Sequence, residues 1–297
     1  MSASTATRSS AAKQPRTRSR ASLTYTLMLF PAVALFTIFI TLPGLVGMVL
    51  SFTNYAGFGA WKWIGFKNYD SLFHDSTIMG SYKFTLLFAV VTTVVVNVCA
   101  LFLAVALNSK IRFKRTLRSI FFVPMVLSGI VVAYVFQYIF GFEIPSIFGG
   151  QSMLASSHWA WLGVVIVTAW QTIPSAMVIY LAGLVAIPGE VYEAAAMDGA
   201  TSWRQFRSIT FPLMAGYVVI NTILSFKNYL NVYDVVVGLT GGGPGTSTTS
   251  VAMGLFNGFN SGDYAYSMAN AVIFFIITVI IALLQLRLMK GREVSFS

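Results

Sequence analysis

The residues with the clearest chemical potential lie in SFKNYLNVYD, residues 225–234, a polar run inside an otherwise apolar stretch. On one continuous helix, Lys227, Asn231 and Asp234 stand at i, i+4 and i+7 and share a stripe. A charge near the centre of a membrane-spanning helix costs at least about 2.5–3.5 kcal/mol, so these groups must face protein or water. They could hydrogen-bond a hydroxylated solute. The stripe predicts a solute path lined by Lys227, Asn228, Tyr229, Asn231, Tyr233 and Asp234.

A second interpretation of the same run is polar contact between helices, at about 0.6 kcal/mol per contact. We expect this of the neighbouring Asn221 and Ser225. Gln137, Trp170 and Gln171 are further candidates for the path, because an aromatic face beside amides could accept a sugar ring. Helix packing is the alternative for these three residues as well.

A second polar interruption, residues 187–212, separates two long apolar runs, and we call it the polar connector. Pro188 suits a first helical turn, where Glu190 and Glu193 are favoured by the helix dipole. Three alanines, strong helix formers, follow up to Ala196, and Gly199 then breaks the run. Ser202 with Gln205 predicts a capping box for a second short helix, which Pro212 should end. The connector is therefore predicted to be helix, glycine turn, helix, with a small-residue face for a partner.

Other residues that could do chemistry lack the necessary context. His74 and His158 are far apart, and neither belongs to a metal-binding motif. The glycine run 241–245 lacks the lysine that a phosphate-binding loop requires. Cys99 is the single cysteine, so no intrachain disulfide can form. We expect no catalytic, metal or cofactor site on this chain.

Composition determines the class of protein. The chain is 57% hydrophobic and 9% charged, against about 25% charged in a typical soluble domain. We predict an all-α membrane protein, with a disordered basic tail at residues 1–22 and a membrane domain at 23–297. Each apolar run reaches about the 20 residues needed to cross a bilayer. The six predicted spans are 23–52, 84–107, 120–140, 159–186, 213–237 and 265–288.

The distribution of basic residues predicts the orientation. Fifteen of the nineteen lysines and arginines fall in the N-terminal tail, the 108–119 loop, the connector and the C-terminal end. The opposite loops hold only Lys62, Lys67 and Lys83. By the positive-inside rule both termini and the connector are cytoplasmic. A net charge of +10 would suggest nucleic acid as a partner of a soluble protein, but here membrane topology explains it.

The connector also carries a recognisable motif. Glu193-Ala194-Ala195, then Gly199, then Ile209-Thr210-Phe211-Pro212 resembles the EAA motif of permease subunits of bacterial binding-protein-dependent ABC importers. Phe211 stands where leucine is commoner in that family. GFKNYDSLF (65–73) and the LTGGGP run (239–244) are similar to segments of the sugar-importing branch, the maltose and glycerol-phosphate type.

The resemblance implies the type I importer permease fold in a bacterial or archaeal cytoplasmic membrane. It implies as partners a second permease subunit, two cytoplasmic ATPase subunits that carry ATP and magnesium, and an extracellular solute-binding protein. The solute would be a carbohydrate or glycerol phosphate, and which one stays open. The residues implied to contact the ATPase are Glu190, Glu193, Ala194, Ala195, Asp198, Gly199, Ala200 and Arg204.

Two other classes compete with this interpretation. Asp198-Gly199 begins the signature of CDP-alcohol phosphotransferases, but Ser202-Trp203 stand where that signature has Ala-Arg, and no aspartate array follows. A self-contained secondary transporter predicts internal repeats, and none is evident. A permease for a non-sugar solute is a further alternative.

Overall fold

The computed structural model describes residues 18–109 and 112–289. It divides into two units, 1–49 and 50–297. A helical run that ends at the first residue of the second unit consists of α1 (Arg18–Phe36), a π-helical turn (Thr37–Thr41) and α2 (Leu42–Leu50). Of the tail predicted at residues 1–22, residues 18–22 belong to α1, and residues 1–17 lie outside the described chain.

The described residues of the second unit are helical, apart from connecting segments and one isolated β-bridge between Thr53 and Trp63. Its helices before the connector are α3 (Lys67–His74), α4 (Ser76–Asn108), α5 (Lys114–Val126), α6 (Gly129–Tyr138), α7 (Ile144–Phe148) and α8 (Ala160–Ala186). The connector and the chain after it form α9 (Gly189–Met197), α10 (Ser202–Gln205), α11 (Phe211–Leu213), α12 (Ala215–Leu230), α13 (Asp234–Leu239), α14 (Val251–Asn260) and α15 (Tyr264–Met289).

Five described helical runs are long and apolar enough to cross a membrane: Leu27–Leu50, Ser76–Asn108, Gly129–Phe148, Ala160–Ala186 and Tyr264–Leu288. A sixth exists only if Ser202–Leu213 and Ala215–Leu230, bent by 65°, count as one span.

The third predicted span, 120–140, is displaced along the chain, because the apolar helical run in the structure is Gly129–Phe148. Leu127 and Ser128 are extended and separate α5 from α6, and the apolar run continues through the π-helical turn Ile139–Glu143 into α7. Serine and glycine at 128–129 are poor residues for a helix interior, which favours the break at this point. Glu143 and Pro145, which lie beyond the predicted span, are therefore helical.

The fifth predicted span, 213–237, is also wrong as a single helix. α12 ends at Leu230, Asn231 caps it, and α13 starts at Asp234. The Asn231 side chain donates to the Lys227 carbonyl at 2.9 Å, the kind of local bond with which asparagine favours helix ends over helix interiors. Tertiary packing then stabilises the break, because Val232, Val235 and Val236 are buried on the far side of it.

The core lies where α12 packs on α4 and α8. Tyr180 of α8 donates to the Asn97 amide oxygen of α4 at 2.5 Å. The Asn221 amide donates to the Ala176 carbonyl at 3.1 Å, which confirms the expected helix contact. Ser225 is buried on the same helix. The Asn221 bond joins α12 to α8, and the Tyr180 bond joins α8 to α4.

The start of α4 offers a test of local stability. Asp75 accepts hydrogen bonds from Thr77 N–H at 2.8 Å, Ile78 N–H at 3.2 Å and the Tyr266 hydroxyl at 3.0 Å. Partial burial opposes ionisation, but the bonds from Ile78, Tyr266 and Thr77 outweigh it and lower the pKa of Asp75 below 3.8. Because the folded pKa is lowered, this stabilisation is complete above the unfolded value and is lost as pH falls through the folded one.

We therefore expect Asp75→Ala to destabilise the purified protein by about 1 kcal/mol at neutral pH, whereas Asp75→Asn keeps the cap. Thermal unfolding in detergent would measure the difference. Equal melting temperatures for the alanine variant and the wild type would contradict the capping role.

Candidate solute path and partner-binding connector

Two helix breaks and a side chain of α8 meet in the second unit. The break at Leu127–Ser128 and the break at Asn231–Tyr233 are brought together because α13 packs against α6. Gln171 of α8 reaches the same place and donates to the Leu127 carbonyl at 2.9 Å. Non-helical backbone at membrane depth is tolerated only where it is buried in protein or lines a wet cavity. The breaks thus mark a place that does not face lipid.

Gly129 shows how closely the polar groups approach. A Cβ at this glycine would lie 3.6 Å from Gln171 Oε1 and 3.7 Å from an Asp234 carboxylate oxygen. Gln171 and Asp234 come from different segments of the fold, and their side-chain oxygens flank the same small residue. The sequence placed Asp234 on a stripe with Lys227, but the structure places it beside Gln171 instead.

Four of the six path residues predicted between 227 and 234 are exposed: Lys227, Asn228, Asn231 and Asp234. Among the described residues, neither Lys227 nor Asp234 forms an ion pair. Since they cannot face lipid at low cost, their exposure points to a cavity or to another subunit. The one-helix stripe Lys227–Asn231–Asp234 is wrong, because only Lys227 lies within α12.

The two tyrosines are not part of this exposed set. Tyr229 is 4% exposed, and its hydroxyl lies 2.8 Å from the Thr172 hydroxyl, with its ring edge-on to Phe88. It is a helix contact in this structure, and its role as a path residue stays a prediction. Tyr233 is half-buried and packs edge-on against Phe256, 5.3 Å between ring centroids.

Gln137 lines a separate open cavity of about 520 Å³. The cavity lies between the π-helical turn after α6 and the glycine-rich loop, with Phe142, Thr240 and Pro244 in its wall. Trp170 is 41% exposed, its ring packs against Phe136 at 5.2 Å between centroids, and it is not among the residues that line this cavity. The predicted set Gln137, Trp170 and Gln171 is therefore spread over at least two places.

The polar connector begins with α9, which presents one exposed face. Glu190, Glu193, Ala194 and Met197 follow the i, i+3, i+4, i+7 pattern, and all four are exposed. Pro188 caps α9 rather than lying in its first turn. The opposite side holds Tyr192, whose hydroxyl lies 3.0 Å from Thr210 Oγ1. That contact fixes α9 to the segment leading into α11.

Gly199 ends α9 with φ of +73°, which confirms the predicted turn. Ala200 N–H bonds to the Ala195 carbonyl at 2.9 Å and Gly199 N–H to the Ala196 carbonyl at 3.0 Å. This pair of bonds is a Schellman motif, which requires a left-handed residue at the position of Gly199. Asp198, immediately before it, is exposed.

The second helix of the connector differs from prediction in two respects. Thr201, not Ser202, is its cap, and Thr201 Oγ1 accepts from Arg204 N–H at 3.4 Å. The helix also does not end at Pro212, because it widens into a π-helical turn, Phe206–Thr210, and continues to Leu213. Proline lacks an N–H and crowds the preceding turn, and the wider turn accommodates it. The bend comes at Met214.

Two exposed apolar side chains flank the glycine turn and were not selected from the sequence. Met197 is 90% exposed and Trp203 is 70% exposed, and Trp203 stacks on Phe206 at 5.7 Å. Large apolar residues with this exposure in a polar segment are typical anchors of protein interfaces. The signal in the sequence was the contrast between these side chains and their polar neighbours.

The comparison with protein families agrees with this geometry. The family described as "Binding-protein-dependent transport system inner membrane component" matches residues 98–292, which include the broken helices and the whole connector. The chain belongs to this family. The chain is a transport permease and an integral membrane protein. Members of the family are transport components and not catalytic subunits.

The permease is similar to several curated relatives over nearly its full length. It is 35% identical over 279 residues to the multiple sugar-binding transport system permease protein MsmF of Streptococcus mutans, covering 91% of this chain and 96% of that one. It is 32% identical over 284 residues to the probable starch degradation products transport system permease protein AmyD of Thermoanaerobacterium thermosulfurigenes, covering 91% and 95%.

Among solved structures, the permease resembles a chain of a bacterial ABC transporter involved in the import of the acidic polysaccharide alginate. The TM-score is 0.80 at 21% identity, with 91% of this chain and 96% of that chain covered. A second crystal structure, of the alginate transporter in complex with a periplasmic protein bound to alginate pentasaccharide, matches with the same TM-score. At 21% sequence identity, the similarity to these structures establishes the fold of this chain.

Proposed function

We propose that the chain is one permease half of an ATP-driven importer of carbohydrate. The observation that carries the proposal is the connector: an exposed helical face, a glycine turn and an exposed tryptophan, placed between α8 and α12 in a chain of this family. Relatives named for starch products, multiple sugars and trehalose/maltose support carbohydrate as the solute class. A relative named for sn-glycerol-3-phosphate keeps that solute as the second candidate.

The proposed partners follow from the same surfaces. A cytoplasmic ATPase would bind the α9 face and Trp203, and it would carry the ATP and magnesium that this chain has no motif to hold. A second permease subunit would complete the path, since the exposed charges of Lys227 in α12 and Asp234 in α13 need a wet cavity or a neighbour. The alginate transporter crystallised with a periplasmic binding protein supports a solute-binding protein as the third partner.

The proposed topology has six spans, counting the bent pair as one, with both termini and the connector on the cytoplasmic side of a bacterial or archaeal cytoplasmic membrane. The positive-inside distribution of basic residues supports this orientation. The exposed basic residues Arg204 and Arg207 lie on the connector, and the chain around the start of α5 adds Arg112 and Arg115.

The mechanism we propose is transmission of motion through packed helices. Movement of the ATPase would displace α9, which is joined to the following segment by the Tyr192–Thr210 contact. α8 and α12 touch at Gly183, where Met214 and Tyr217 lie against the glycine. Tilting of these helices would change the access of the Gln171–Asp234 region from one side of the membrane to the other.

Reconstitution tests the function directly. We expect the purified chain alone to give no uptake of labelled maltooligosaccharide or glycerol phosphate into liposomes. Uptake should require its neighbouring permease, the ATPase, ATP and the solute-binding protein. ATP-independent uptake by this chain alone would identify a secondary transporter and contradict the proposal.

The path is tested separately by Asp234→Leu, which removes a carboxylate that flanks Gly129 together with Gln171. We expect at least tenfold lower uptake with normal copurification of the ATPase, because the change lies far along the chain from the connector. Asp263→Leu, at an exposed aspartate before α15, is the control for loss of a negative charge. Unchanged uptake in Asp234→Leu would reassign the region to helix packing.

A further inference from the structure

The segment between the first apolar helix and α4, residues 51–75, carries a concentration of aromatic side chains that transport does not explain. We call it the aromatic segment. It follows directly on Leu50, which ends the apolar run Leu27–Leu50, and it ends at the residue before Ser76, where α4 begins. Both flanking helices are long and apolar enough to cross a membrane. A short segment joining the ends of two crossings must lie at a membrane surface.

The aromatic segment is folded rather than extended. Asn54 N–H bonds to the Lys62 carbonyl at 3.1 Å, and Ile64 N–H to the Phe52 carbonyl at 2.8 Å. The Asn68 amide reaches back to the carbonyls of Ser51 and Thr53 at 2.8 and 2.9 Å. These bonds hold α3 against the start of the segment, so the side chains of α3 have fixed directions.

It is also fixed to the rest of the second unit. α3 packs against α4 and α15, with Leu72 fully buried. The Tyr55 carbonyl accepts from Ala265 N–H at 3.1 Å, and the Tyr55 and Tyr264 rings are 6.2 Å apart. The segment therefore connects the near ends of α4 and α15.

Its rings form a cluster that is packed internally but exposed outward. Phe52 stacks on Trp63 at 5.4 Å and contacts Phe66 and Tyr69, both at 5.2 Å. Trp63, Phe66 and Phe73 nevertheless remain exposed by 62%, 72% and 62%. Phe58 and Trp61, in the preceding turn, are exposed as well. Contiguous exposed apolar surface of this kind marks a contact with a membrane or a protein.

The distribution of side chains around the short helix α3 indicates whether this surface contacts lipid or protein. Its side chains divide into three faces about 100° apart. Leu72 lies on the buried face, Tyr69 and Phe73 share the aromatic face at i and i+4, and Lys67, Asp70 and His74 share the polar face at i, i+3 and i+7. A helix that is buried on one side, aromatic on the next and charged on the third is suited to lie along the boundary between lipid and water.

We propose that the aromatic segment is an anchor in the headgroup region of the bilayer, with the face of Phe66 and Phe73 toward lipid and the face of Lys67 and His74 toward water. Tryptophan and tyrosine are enriched at that level because their rings combine an apolar body with a polar group. The two lysines Lys62 and Lys67 can pair with lipid phosphates. The anchor fixes the depth of α4 and α15 in the membrane, and it does not depend on the identity of the solute or of the ATPase.

The test compares adjacent residues of α3 in the full-length permease in phospholipid nanodiscs. In a Cys99→Ser background, nitroxide labels are attached at Phe73→Cys or at His74→Cys, and collision rates with oxygen and with a water-soluble nickel chelate are measured. We expect the label at 73 to favour oxygen and the label at 74 to favour the nickel chelate. The two sites are one residue apart, so a difference reports the faces of the helix and not the position of the segment.

A second measurement, of tryptophan fluorescence, leaves the residues of α3 unchanged. Trp61→Phe with Trp63→Phe should reduce the share of tryptophan fluorescence that brominated phospholipids quench, because both indoles lie in the headgroup region. Equal access of both labels to the nickel chelate, with no change in quenching, would overturn the proposal. Protection of the label at 73 only after the solute-binding protein is added would also overturn it and would assign the surface to that protein.

Discussion

Gly199→Val is expected to lower copurification of the ATPase and ATP-driven uptake about tenfold or more, while the permease still inserts in the membrane. Gly199 has φ of +73°. A residue with a side chain loses about 1–2 kcal/mol of stability in this left-handed region, and the loss is greater for a β-branched residue such as valine. Unwinding the end of α9 relieves that strain and displaces Met197 from the exposed face of α9. A loss of about 1.4 kcal/mol in binding corresponds to tenfold weaker association.

The chain offers a matched control in Gly189, at the other end of the same helix. An added Cβ meets no atom within 4 Å at either glycine, but only Gly199 has positive φ. Gly189→Val should therefore retain most of the ATPase binding, and Gly199→Asn should too, because asparagine tolerates the left-handed region. Loss of binding in Gly189→Val but not in Gly199→Val would contradict the role of the turn.

Gly183→Leu is expected to have the largest effect outside the connector. A Cβ at Gly183 would lie 2.7 Å from Tyr217 ring carbons and 2.8 Å from Met214 Sδ, and Met214 is fully buried. Overpacking of this kind costs about 1–3 kcal/mol and would push α8 away from α12 beside the bend at Met214. We expect a lower melting temperature in detergent, and loss of coupling between ATP hydrolysis and uptake in the protein that remains folded.

Gly216 provides the control, because it lies beside Tyr217 with no atom within 4 Å of an added Cβ. Gly216→Ala should be neutral or stabilising by about 0.4–1 kcal/mol, since it restricts the unfolded chain. Combining Gly183→Ala with Tyr217→Ala should recover part of the stability lost in Gly183→Ala alone. Strictly additive losses in the double variant would show that the two residues do not meet.

Part of the candidate site could be predicted from residue types and spacing. The alanine run, Gly199 and the acidic residues of α9 specify helix and turn through local propensity, so the connector was predicted with its glycine turn at the right residue. Its second helix was less predictable. Thr201 and Ser202 are both competent caps, and only the backbone geometry selects Thr201.

Sequence alone established the apolar character of the chain, its several helical crossings and the polar connector, because hydrophobicity and helix propensity act locally. It did not locate the breaks at Leu127–Ser128 and Asn231–Tyr233. An apolar run predicts one helix whether or not it is interrupted, and the interruption is stabilised by contacts between distant segments. Packing of α13 on α6 brought Asp234 to Gln171 and burial placed Tyr229 in the core, and both depend on neighbours that residue spacing cannot reveal.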